Sequence, residues 1–109
     1  MAYNASHRFA RIAPRKARLV ADLIRNQPVD VAITTLNFSK RRGAAYIVTV
    51  LKSAIANAEE ANVDVARLIV SESRVDEGPT IKRFQPKDRG RAHNIHKRTS
   101  HIHVSVDVR

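Results

Sequence analysis

Cysteine and tryptophan are absent from this 109-residue chain, aromatic residues make up 5% of it, and it has three glycines. Without cysteine, a disulfide framework and cysteine-based zinc sites are excluded, and the composition fits a reducing cytosol. So few aromatics leave little with which to line a deep apolar substrate pocket. No apolar run approaches the roughly 18 residues that a membrane-spanning helix needs. The opening residues, MAYNASHRFAR, have no apolar centre of the kind a secretory signal carries. Nucleophile–base arrangements, glycine-rich phosphate loops and HExxH-type motifs are also missing. These absences argue against an enzyme and imply no cofactor, no metal and no small-molecule substrate.

Positive charge is what the chain has in excess. The formal net charge is +10, more than solubility requires. It is placed unevenly: residues 1–79 carry 12 basic and 8 acidic side chains, and residues 80–109 carry 8 and 2. The run from Ile81 to His101, IKRFQPKDRGRAHNIHKRTSH, holds Lys82, Arg83, Lys87, Arg89, Arg91, Lys97 and Arg98 against the single acid Asp88. Such an arm repels itself in water and is ordered by a dense polyanion, either nucleic acid or an anionic membrane surface. Pro86 and Gly90, and the lack of a helical apolar stripe, disfavour the membrane. A solvated basic tail is the plainer alternative, but a tail is not normally followed by a strongly patterned strand.

Hydrophobic periodicity sets out the rest. Tyr3, Ala5, His7 and Phe9 alternate along a short strand over Tyr3–Arg11. Pro14 suits the first turn of a helix over Arg15–Arg25, whose stripe is Ala17, Val20, Ala21 and Ile24, widened by Leu19 and Leu23. A second helix steps through Val29, Ala32, Ile33 and Leu36. Ser39 is the expected cap of a third, running to about Ala61 over Ile47, Val48, Leu51, Ala54, Ile55 and Ala58. After Asn62 the period becomes two. Leu68–Val75 is β-rich, and Ile102, Val104, Val106 and Val108 alternate with polar neighbours as a half-buried strand. With Gly90 near the turn, the arms on either side pair as an antiparallel ribbon of about ten residues each, roughly 30 Å long. The expectation is an α+β fold: three helices packed on a small antiparallel sheet, with a long protruding β-hairpin. One domain spans 1–109, with a core at about 1–78 and 102–109 and the arm at about 79–101.

Several residue groups invite a chemical reading. Asp76-Glu77 is conceivable as a catalytic pair, but neighbouring residues on a strand face opposite ways, and Gly78-Pro79 favours a bend where the ribbon leaves the sheet. His93, His96, His101 and His103 are spaced irregularly among cations that oppose metal binding. They suit base stacking or phosphate contact better. Arg8, Arg11, Arg15, Lys16 and Arg18, beside His7, span a strand end and a helix start. Lys40, Arg41 and Arg42 do the same before the third helix. Cations there oppose the helix macrodipole, and a phosphate between them and the free backbone N–H groups removes the conflict.

Four segments carry a family resemblance: RIAPRKARLVADLIR (Arg11–Arg25), LKSAIANAE (Leu51–Glu59), VDEGP (Val75–Pro79) and KRTSHIHV (Lys97–Val104). In this order they resemble the bacterial-type large-subunit ribosomal protein family numbered twenty-two. The resemblance implies three helices on a small sheet with a long hairpin. It also implies a structural role in the cytoplasmic large (50S) subunit, binding several domains of 23S rRNA and acting early in assembly. The hairpin would line the nascent-peptide tunnel opposite ribosomal protein number four, with the nascent peptide as a passing partner. Carried over by position, Lys82, Arg83, Lys87, Arg89, Arg91, Lys97 and Arg98 contact rRNA or face the tunnel, and Arg15, Lys16 and Arg18 hold rRNA near the surface. Lys87, Asp88, Arg89, Gly90 and Arg91 form the tip. One departure is Lys87-Asp88, where the family usually has Arg-Ala, so an acid enters the tip. From residues alone the competing reading is a free-standing basic nucleic-acid-binding regulator, with Pro14–Ala61 as a helix-turn-helix-like unit.

Overall fold

The computed structural model describes residues 2–87 and 91–108, with side chains for 2–81 and 97–108. The chain runs β1 (Tyr3–Ala10), α1 (Pro14–Ile24), α2 (Val29–Phe38), α3 (Gly43–Glu60), a short 3-10 turn at 65–67, β2 (Leu68–Glu77), β3 (Ile81–Lys87), β4 (Arg91–Lys97) and β5 (Ser100–Val108). Three strands form an antiparallel sheet in the order β1-β5-β2, and β3 pairs with β4 in a separate two-stranded ribbon. The strand with the strictest alternation is thus the central one. Ile102, Val104 and Val106 of β5 are wholly buried beneath the helices.

α1 starts at Pro14, which needs no N–H partner there. Its buried face is Ala17, Val20, Ala21 and Ile24, whereas Leu19 and Leu23 are about half exposed and do not widen it. α3 buries Ile47, Val50, Leu51, Ala54, Ile55 and Ala58, with Val48 only half-buried. Small residues bring α1 and α3 close. A Cβ on Gly43 would lie 3.1 Å from Ile12 Cδ1 and 3.5 Å from the Ala17 Cα. α3 ends in a Schellman motif: Asn62 adopts φ 60°, its N–H bonds to the Glu59 carbonyl and the Val63 N–H to that of Ala58.

The expected cap, Ser39, does not start α3. Its backbone is extended and closes α2 through its N–H to the Leu36 carbonyl, while its hydroxyl accepts from the Arg41 N–H at 3.3 Å. The helix begins four residues later, after Arg42.

Two bulges adjust the sheet. Between Val70 and Glu72, one extra residue, Ser71, interrupts the β2–β5 register. Leu68 and Val70 face the core before it, and Ser73 and Val75 after it. A second irregularity lies between His7 and Ala10 of β1. There Phe9 adopts φ 59°, which turns it out to 55% exposure and places Ala10 in the core instead. Phe9 therefore does not share the inward side of Tyr3, Ala5 and His7.

The edge of β2 is covered. Arg18 Nε donates to the Val75 carbonyl at 3.1 Å and an Arg25 guanidinium nitrogen to that of Ser73 at 2.6 Å. The 26–28 turn bonds to Val70 through Asn26 N–H and the Gln27 carbonyl. A strand edge so occupied does not invite a second chain.

β3 and β4 pair from Ile81↔Lys97 to Lys87↔Arg91. Among the described residues the ribbon has seven residues per arm, set off from the sheet by residues 78–80 and 98–99, which belong to neither. Of the expected tip, Lys87–Arg91, the residues Asp88, Arg89 and Gly90 lie outside the described residues. The extents of 62 × 24 × 16 Å show how far the chain departs from a sphere.

Candidate nucleic-acid interface

Three basic groups far apart in sequence meet at one groove. Arg11, Ile12 and Ala13 come from the β1–α1 connection, Lys16 from the first turn of α1, and Arg42 and Tyr46 from the start of α3. Lys97 and Arg98 come from the base of the hairpin, and together these residues line a hollow of about 680 Å³. No acid is among them. Packing of α1 on α3 brings Lys16 toward Arg42, and the return of the chain into β5 adds Lys97 and Arg98.

Both helices that open here lack a side-chain cap and have no acid in the first turn. α2, which opens elsewhere, has Asp30 in its first turn. Cations at helix N-termini are unfavourable for the helix alone. Five of them around two such ends repel one another and oppose both dipoles, a conflict that anionic groups such as phosphates would relieve.

Tyr46 was not singled out by sequence. It is half-buried, its hydroxyl lies 3.4 Å from an Arg42 guanidinium nitrogen, and its ring meets His7 edge-on at 5.5 Å. A ring held by Arg42 and His7 at the edge of a basic hollow has the chemistry of a stacking platform for an unpaired base. The available signal was the four-residue step from Arg42, which places both on one helix face.

The other expected residues distribute differently. Arg41 borders an adjoining hollow with Arg42, and Lys40 is exposed beside it. Arg15 is exposed on α1 outside the groove lining. Arg8 sits 5.5 Å over the Phe9 ring, which in turn meets His101 edge-on at 4.8 Å. Arg18 has a structural partner, the Val75 carbonyl. Lys82, Arg83, Lys87 and Arg91 lie on the β3–β4 ribbon by backbone, and their side chains, like the whole of Arg89, fall outside the description.

The acid and histidine clusters resolve into ordinary contacts. Asp76 lies 3.2 Å from His103 Nε2 and 3.7 Å from Arg74. His101 Nδ1 accepts the Phe9 N–H at 3.0 Å. Among the described residues, no group of three or more His, Asp or Glu is placed to hold a metal ion, and no helix is long and apolar enough to cross a membrane. His93 and His96 lie beyond the side chains described.

A strand-flanked basic ribbon, a groove of five cations and a three-helix layer on a β1-β5-β2 sheet agree with one family comparison. The family model described as ribosomal protein L22p/L17e matches residues 5–107, nearly the whole chain. The chain belongs to the ribosomal protein L22p/L17e family, and as such is a structural, rRNA-binding protein of the large ribosomal subunit.

Proposed function

We propose that this chain scaffolds 23S rRNA, using its groove and hairpin to hold RNA segments that are distant in sequence. The observation that carries this reading is the convergence of Arg11, Lys16, Arg42, Lys97 and Arg98 on one hollow without an acid. Phosphates from separate strands can be held there together, which lowers the repulsion that opposes packing RNA domains against each other. Recognition then follows RNA shape and backbone rather than base sequence.

The β3–β4 hairpin extends this role. Projecting from the sheet with Lys82, Arg83, Lys87 and Arg91 along it, it reaches into RNA and lines the nascent-peptide tunnel, with ribosomal protein number four as its neighbour at the constriction. The acid Asp88 lowers the positive charge of this segment, which weakens its attraction for phosphate or engages a neighbouring arginine. A protein that joins several rRNA domains in this way is of most use early in subunit assembly, and that is the stage at which we propose it acts. A free-standing regulator has less support: in a helix-turn-helix the second helix reads bases, and here α2 exposes Val31 and Phe38, where such a helix carries polar side chains.

Sedimentation of a cell lysate on a sucrose gradient tests the reading. Stoichiometric migration with the large subunit that survives a high-salt wash is expected. Recovery near the top of the gradient would overturn it.

A further inference from the structure

We infer that Thr99 and Ser100 act as a latch, fixing the β3–β4 hairpin at one angle to the basic groove so that both meet RNA as one rigid surface. This rests on the RNA-binding role proposed above.

The joint between ribbon and sheet consists of residues 78–80 and 98–99, which pair in neither sheet. A two-stranded ribbon on such a joint would ordinarily swing. Here the joint is closed from both sides. The Gly78 N–H donates to the Thr99 carbonyl at 2.9 Å, and the Thr99 hydroxyl donates back to the Pro79 carbonyl at 2.6 Å. One residue later, the Ser100 hydroxyl donates to the Ile12 carbonyl at 2.6 Å. Ile12 lies between Arg11 and Ala13 in the wall of the basic groove. Adjacent hydroxyls therefore reach opposite ways, one across the joint and one to the groove.

Their burial supports a fixed arrangement. Thr99 is 3% exposed and Ser100 wholly buried, and a buried hydroxyl that loses its hydrogen bond destabilises the fold. Swinging the ribbon would break the two bonds across the joint, and the Thr99 hydroxyl, on a side chain itself buried, would lose its partner. Gly78 shows how closely the two sides approach: a Cβ there would lie 2.5 Å from Thr99 Oγ1 and 3.3 Å from its carbonyl carbon and oxygen. Only glycine admits Thr99 without displacing it. A rigid joint presents two charged surfaces at a preset separation, so binding by one raises the effective concentration of the other.

The absence of cysteine allows a direct test with two introduced spin labels, at Lys52→Cys on α3 and Gln85→Cys on β3. The inter-label distance distribution is measured by pulsed electron paramagnetic resonance in the full-length protein, free of RNA. A narrow distribution is expected for the parent, broadened by Thr99→Val and by Gly78→Ala and restored by Thr99→Ser. Gly78→Ala keeps both hydroxyls but displaces Thr99, so it still reports if Thr99→Val fails to fold. Both broadened variants should bind a 23S rRNA transcript about tenfold more weakly while keeping the parent's helical circular dichroism. A broad distribution in the parent, or an unchanged width in both variants, overturns the latch. A parent that fails to bind the transcript sinks the RNA reading alone, because the distances are read without RNA.

Discussion

Arg18 and Val75 stand 57 residues apart, and the Arg18 Nε–H donates to the Val75 carbonyl at 3.1 Å. With Arg25 on the Ser73 carbonyl, it ties α1 to the outer edge of β2 and covers it. An arginine that looks by sequence like an RNA contact thus has a partner within the fold. Arg18→Ala should cost about 1–2 kcal/mol of stability, as expected for a charge-assisted bond in a partly buried setting. Urea unfolding measures this directly. The salt dependence of rRNA binding should change little, since the loss falls on the fold. A full unit lost from the salt slope with stability unchanged would reverse the assignment.

The groove cations should behave in the opposite way. Lys16→Gln, Arg42→Gln, Lys97→Gln and Arg98→Gln each remove one charge facing the hollow. Each should lower the slope of log affinity against log salt by about 0.7 to 1. Stability should stay within about 0.5 kcal/mol, because these side chains are exposed. Filter binding to a 23S rRNA transcript over a range of potassium chloride concentrations reads the slopes. Four unchanged slopes would remove the groove from the interface.

Tyr46 offers a test of stacking apart from charge. Its ring is positioned by His7 and Arg42, and Tyr46→Phe retains that ring. Tyr46→Leu removes it and should weaken transcript binding by about 1–3 kcal/mol, with the salt slope kept. Equal losses for Phe and Leu would point to the hydroxyl instead.

Much of this architecture could be read in advance where a single period survives in the chain. Ile102, Val104 and Val106 lie on the buried face as their alternation implies, although Val108 is exposed at the strand end and Ser105 is buried among the polar positions. Ala17, Val20, Ala21 and Ile24 keep their helical step. Phe9 misled for a physical reason: its positive φ reverses strand parity, and only the neighbouring β5, through His101, shows why. The groove was legible only as separate basic clusters. Their meeting depends on how α1 packs against α3 at Gly43 and on where β5 returns, and neither is encoded in local spacing. Ser39 was a reasonable cap by residue type, but its hydroxyl turns to Arg41 rather than to a helix start.

The Ser71 bulge explains why β2 read as β-rich without clean alternation, and it leads to a test by deletion. Removing Ser71 leaves Leu68, Val70, Ser73 and Val75 at every second position, all facing the core as they do now, with Glu72, Arg74 and Asp76 outside. The fold should survive, with a change of about 1 kcal/mol from the lost bulge and the Ser71 hydroxyl bond to the Ser105 carbonyl. Deleting Arg74 instead shifts every later residue of β2 to the other face, turning Val75 out and Asp76 in. That should cost about 3 kcal/mol or more and loosen the base of the hairpin. Thermal unfolding of the two deletions side by side settles the comparison. If both are equally tolerated, the β2–β5 register does not hold the sheet together.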